Sequence, residues 1–163
     1  MPEERDAPPG HGTLHHIEIW VPDIDRAVAQ WEWLLTALGH TLFQSWEHGR
    51  SWRLGPTYLV LEQSSALTGT RHDRRAPGLN HLAFHVRDDT SVDALVARAV
   101  RHGWTLMFPD RHPHAGGEQQ YAAYLENTDG FEVELVALTV HGPFRGRSDA
   151  RGTGRASIGP WPS

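Results

Sequence analysis

The sequence predicts an α+β fold made of two βαβββ modules, and three observations predict it. The stretch "HIEIWVPDIDRAVAQ" from His16 is echoed by "HLAFHVRDDTSVDAL" from His81. Each echo passes from a two-residue alternation into a 3.6-residue apolar stripe, so each reads as a strand followed by a helix. Each helix is then followed by three short alternating runs separated by turn residues, which read as strands.

The elements follow in order. The first strand covers residues 14–21. Side chains alternate between its faces, so Ile17, Ile19 and Val21 form an apolar face and His16, Glu18 and Trp20 the opposite one. The first helix is expected over residues 23–38. Its stripe is Ile24, Ala27, Val28, Trp31, Leu35 and Leu38, and Gly39 stops it. Strands are expected over 40–46, 51–54 and 57–63, with a turn at Glu47-His48-Gly49. Residues 64–78 are polar, contain a Pro-Gly pair and read as a linker. In the second module a strand starts at His81. A helix is expected over 91–102, with Thr90 and Asp93 as a capping box, Val92, Leu95, Val96, Ala99 and Val100 as its stripe, and Gly103 at its end. Strands at 104–108, 120–126 and 131–138 complete it, the last two joined by Asn127-Thr128-Asp129-Gly130. Taken together, 13–63 and 79–139 are the modules. Residues 1–12 and the basic tail 140–163 have the composition of disordered termini.

Composition excludes several chemistries. There is no Cys, so disulfides, thiolate nucleophiles and thiolate metal sites are absent. Every basic residue is Arg, which removes Schiff-base lysines and a phosphate-loop lysine. No G-x-S-x-G elbow or G-x-G-x-x-G turn occurs. The net charge of −5, without a basic stripe in the modules, argues against a nucleic-acid partner. No apolar run approaches the ~18 residues of a membrane span, and "MPEERDAPPGHG" has no signal-like apolar core, so a cytoplasmic protein is expected. The 12 His and 7 Trp point instead to metal sites and apolar pockets.

Each module places a His at the start of its first strand and a Glu near the end of its last, both on the face away from the helix. Two imidazoles and two carboxylates, His16, Glu62, His81 and Glu134, suit a divalent ion such as Zn, Ni, Co, Mn or Fe(II). Any one of these residues alone is more often a surface or satisfied side chain than a ligand. The recurrence of the same types on the same face in both halves favours the metal.

These residues resemble the vicinal oxygen chelate superfamily, which includes glyoxalase I, extradiol dioxygenases and bleomycin-resistance proteins. The resemblance covers about residues 14–138. It rests on "HHIEIWVPDIDRAV…LLTALG", "YLVLEQ", "GLNHLAFHVRD" and above all "YAAYLENTDGFEVELV". It implies a curved, mixed-sheet cup with the helices outside, and one His and one Glu per module as metal ligands. Aligned in this way His16 is the ligand, and His15 points to the helix side or out at the strand end. The resemblance further implies a small-molecule substrate that chelates the metal through two adjacent oxygens, with Glu134 as general base and Glu62 as its counterpart. His85, Glu18, Trp20, Tyr58 and Tyr124 are expected to line the substrate site. A homodimer is expected because relatives often dimerise.

The function expected is a glyoxalase-like metal-dependent lyase or isomerase. Two other readings stay open. One is a protein that sequesters an antibiotic, as bleomycin-resistance relatives do. The other is a non-haem Fe(II) dioxygenase using His16, His81 and Glu134.

Overall fold

The computed structural model describes residues 10–138; the expected terminal segments lie largely outside them. Within that range the order is β1 (His16–Trp20), α1 (Ile24–Ala37), β2 (Thr41–Trp46), β3 (Gly49–Leu54) and β4 (Thr57–Glu62), then β5 (His81–Val86), α2 (Asp89–Ala99), β6 (Trp104–Leu106), β7 (Ala122–Asn127) and β8 (Glu132–Ala137). This is βαβββ twice, an α+β fold of two modules. Each module carries its own four-stranded mixed sheet, in the order β1-β4-β3-β2 and β5-β8-β7-β6. The two compact units meet at Arg71 and His72, inside the segment that reads as a linker.

In the first module β1 runs parallel to β4, and β4, β3 and β2 are antiparallel. One sheet face is apolar because alternation puts Ile19, Leu59, Leu61 and Trp52 there, all buried. They pack with Ile24, Ala27, Trp31, Leu34 and Leu35 of α1. The buried stripe of α1 takes in Gln30 and Leu34, which the sequence stripe leaves out. Two side chains start this helix. Asp23 accepts from the Arg26 amide at 2.9 Å, and Gln63 Oε1, just past β4, accepts from the Ile24 amide at 2.9 Å. In the hairpin Trp46↔Gly49, the Trp46 ring lies so close that a Cβ on Gly49 would stand 2.0 Å from it. Only glycine fits there.

The second module repeats the plan with β5 parallel to β8. Its helix is capped differently from the expected box. Asp88 is the N-cap and accepts from the Ser91 amide at 2.7 Å, because the helix begins two residues earlier than Thr90 and Asp93 suggest. At its other end the last turn tightens to 3₁₀ over Val100–His102, ending at Gly103 with φ 79°. That tightening swings Val100, an expected core residue, out to 72% exposure.

Residues 72–80 are tied to the second module. The His72 ring stacks on Phe131 at 4.5 Å, and the His72 amide donates to the Asp129 carbonyl at 2.8 Å. Asn80 Nδ2 donates to the Arg74 carbonyl at 2.9 Å.

Candidate functional site

On the helix-free face of the second sheet, ladder partners line up in rows. His81 lies beside Glu132 and then Glu126; Ala83 beside Glu134 and then Tyr124; His85 beside Val136 and then Ala122. Small Ala83 leaves room for His81 to lean one row over, and its Nε2 stands 3.2 Å from Glu134 Oε2. The other carboxylate oxygen, Oε1, accepts from the Tyr124 hydroxyl at 2.8 Å and from Gln120 Nε2 at 3.1 Å. Glu134 and Tyr124 are buried. Burial, followed by the hydrogen bond to Glu134, pushes the Tyr124 phenol well above its usual range, so it is a proton donor to the carboxylate and stays one.

Beside this cluster Glu132 is buried and pairs with Arg74, Nε to Oε2 at 3.0 Å, as an ion pair rather than an aligned hydrogen bond. Burial raises the Glu132 carboxyl above its ordinary value, against the lowering pull of Arg74 and His81. Arg74 and Arg111 both lie over the Phe108 ring, at 6.0 and 4.7 Å. Residues 111–121 cross the face here. Tyr121 donates to Asp93 Oδ1 of α2 at 2.8 Å, and a Cβ on Gly116 would stand 2.5 Å from the Tyr124 hydroxyl and 3.6 Å from Glu134 Oε1. Glycine at 116 lets this loop lie directly over the carboxylate.

The first module has the same rows with different occupants. His16 lies beside Tyr58 and Arg53; Glu18 beside Val60 and Ser51; Trp20 beside Glu62 and Gly49. His16 is thus the register equivalent of His81. The equivalent of Glu134 is Val60, not Glu62. Glu62 sits opposite Trp20, four residues along the ladder from His16, which is roughly 13 Å of strand. The four candidate ligands are therefore not symmetric in strand register, because matching residue types in sequence does not fix register. His16 stacks on Tyr58 at 4.9 Å, and its Nδ1 meets His15 Nδ1 at 2.8 Å. His15, exposed just before β1, is thus engaged with His16 at the strand end. Trp20 Nε1 donates to Glu18 Oε1 at 2.8 Å.

The structure thus gathers His81, Glu134 and Tyr124 into one cluster, places His85 two residues beyond Ala83 on the same face, and sets Glu62 apart from His16 along its own sheet. Sequence reasoning missed Asn80, Arg74, Gln120 and Gly116. All four lie outside strands, where no periodicity marks a residue's direction.

The donor chemistry suits a metal in part. Among the described residues no three His, Asp or Glu are drawn into one cluster. The second module alone offers two donors, an imidazole nitrogen and a carboxylate oxygen 3.2 Å apart. Two ligands on one ion at ordinary bond lengths stand about 3 to 3.5 Å apart, so the pair matches that separation.

Two βαβββ modules, each with first and last strands paired in parallel, define a paired-module class of protein. The chain belongs to the glyoxalase/bleomycin resistance protein/dioxygenase superfamily, whose family model matches residues 15–124. The uncharacterized protein YqjT of Bacillus subtilis strain 168 is 38% identical over 125 residues, covering 76% of this chain and 98% of that one. The crystal structure of a candidate glyoxalase from Bacillus halodurans is 41% identical, with a TM-score of 0.74 over 78% of this chain and 96% of that one. A lactoylglutathione lyase from Agrobacterium tumefaciens, 19% identical with a TM-score of 0.54 over 80% of this chain and 96% of that one, shares the fold. No helix among the described residues is long and apolar enough to cross a membrane.

Proposed function

We propose that this protein is a divalent-metal-dependent, glyoxalase-like lyase or isomerase of the cytoplasm. Its substrate is a small oxygen-rich metabolite presenting two adjacent oxygens. The observation that carries the reading is the His81–Glu134 pair at 3.2 Å, its buried carboxylate beneath the 111–121 loop, in a family whose members include glyoxalases. In this reading His81 Nε2 and Glu134 Oε2 hold the ion (Zn, Ni, Co, Mn or Fe(II)). In the first module His16 holds the equivalent place in its own sheet and offers an imidazole of the same kind, and the protein acts as a homodimer. When bound, the ion supplies Lewis-acid stabilisation of negative charge developing on the substrate oxygens.

The chain's own residues do the rest. Tyr124 and Gln120 fix Glu134 through Oε1, leaving Oε2 to serve in turn as ligand and, once loosened, as the base that takes a proton from the carbon next to the substrate carbonyl. The loop at Gly116 lies against the Tyr124 hydroxyl and Glu134 Oε1 and keeps water from that side of the carboxylate. Glu62, earlier paired with Glu134 as ligand and base, takes neither role here. Glu18, Trp20, Tyr58 and His85 line the open faces and offer substrate contacts.

One observation favours a second reading. Val60 takes the first-module place that Glu134 takes in the second, so the last strands supply one carboxylate at that place and not two, the number found in two-His, one-carboxylate sets that bind Fe(II) for oxygen chemistry.

Elemental analysis of wild type, His81→Ala and Glu134→Ala, after loading with each metal in turn, tests the proposal. Near-stoichiometric metal in wild type and its loss in both variants is expected. Wild type that holds no metal would overturn the proposal in favour of a sequestering protein, and Fe(II)-dependent oxygen consumption would favour the second reading.

A further inference from the structure

The hydrogen bonds behind His81 determine which of its nitrogens carries a proton. The Arg74 carbonyl can only accept, so the atom of Asn80 that meets it at 2.9 Å must be the amide nitrogen Nδ2. The other amide atom, Oδ1, is thereby turned toward His81 Nδ1 at 2.7 Å. A carbonyl oxygen also only accepts, so Nδ1 must carry the hydrogen. In the neutral ring this leaves Nε2 with a lone pair, and Nε2 is the atom that faces Glu134 Oε2 at 3.2 Å. Two acceptors aimed at one another at that distance repel unless a proton or a metal ion lies between them.

We infer that Asn80 is a positioning residue, which locks His81 in the Nδ1–H tautomer and so presents Nε2 as a ligand toward Glu134. The inference rests on the metal-binding reading above and deepens it. The Arg74 carbonyl is held in turn by the surrounding segment. The Arg74 guanidinium is anchored on buried Glu132, and the His72 ring is stacked on Phe131 with Nε2 meeting the Leu79 carbonyl at 2.9 Å. Residues 72–80 thus orient a ligand rather than merely connecting two modules. Backing of this kind is typical of metal-bound histidines, and its loss usually lowers metal affinity about 10- to 100-fold.

The test uses full-length protein with ¹⁵N-labelled histidine, its ring signals recorded metal-free near pH 9, well above the ordinary imidazole range. The His81 signal is identified by its absence in His81→Gln. Wild type is expected to show His81 as Nδ1–H. Asn80→Ala should shift it to Nε2–H and weaken Zn(II) binding by about 10-fold or more. Asn80→Asp, which offers an acceptor oxygen in either orientation, should keep the Nδ1–H form and most of the Zn(II) affinity. A His81 that is Nε2–H in wild type, or unchanged in Asn80→Ala, overturns the inference. If the tautomer switches as expected while wild type fails to bind any of the metals, the positioning role of Asn80 stands and the metal-binding reading falls.

Discussion

His81 and Glu134 meet at 3.2 Å although neither is the other's ladder partner: His81 pairs with Glu132, and Glu134 with Ala83. The contact exists because the methyl group of Ala83 is too small to block the diagonal. If both groups hold one ion, their contributions to metal binding are not additive. The double variant His81→Ala/Glu134→Ala should then bind Zn(II) no more weakly than the worse single variant, within about 0.5 kcal/mol by calorimetric titration. Two independent, additive losses would indicate separate roles.

Tyr124 donates to Glu134 inside a buried cluster. Tyr124→Phe removes the hydroxyl, keeps the ring and leaves Oε1 with Gln120 alone. The expected cost is about 1–3 kcal/mol of stability at neutral pH, because a charged group loses a buried donor. Urea unfolding followed by tryptophan fluorescence measures it, and an unchanged midpoint would mean that the Tyr124 hydroxyl does not hold Glu134.

Arg74 is the cation beside buried Glu132. Arg74→Ala leaves that carboxylate without its partner and should cost about 3 kcal/mol or more. Arg74→Ala/Glu132→Gln should recover a large part of the loss, since the uncompensated charge is gone. Recovery by the double variant, rather than the size of the single loss, identifies charge as the cause.

His40, just after α1, has its imidazole held below the usual value by burial, with a hydrogen bond to the Leu35 backbone working the other way. As pH falls, the unfolded chain therefore protonates first. The stability contributed by a neutral His40 is complete above the ordinary value of 6.5 and is lost as pH drops through the lower folded value. The urea midpoint should fall between about pH 7.5 and about pH 5.5 in wild type, and fall less in His40→Asn. Equal falls in the two proteins would assign the acid sensitivity to other groups.

Much of the fold was legible in the sequence. Alternation at "HIEIW" and "HLAFHV" marked which face each strand buries, and the stripe from Ile24 to Leu35 marked α1. The places where the reading failed share a cause. Val100 turns outward because the helix tightens in its last turn, an event without a periodic signature. Glu62 looked like the mate of Glu134 because both are glutamates at the end of a last strand, yet the ladder puts Val60 in that place. Register depends on which residues pair across strands distant in sequence, and a single strand does not display it. Asn80 was invisible for a similar reason, since its role depends on a carbonyl six residues earlier.

The most direct measurement compares Zn(II) content after loading and gel filtration in wild type, Glu134→Gln and Glu62→Gln. The account predicts about one ion per chain in wild type and in Glu62→Gln, and little or none in Glu134→Gln. Loss of metal from Glu62→Gln with retention in Glu134→Gln would contradict it.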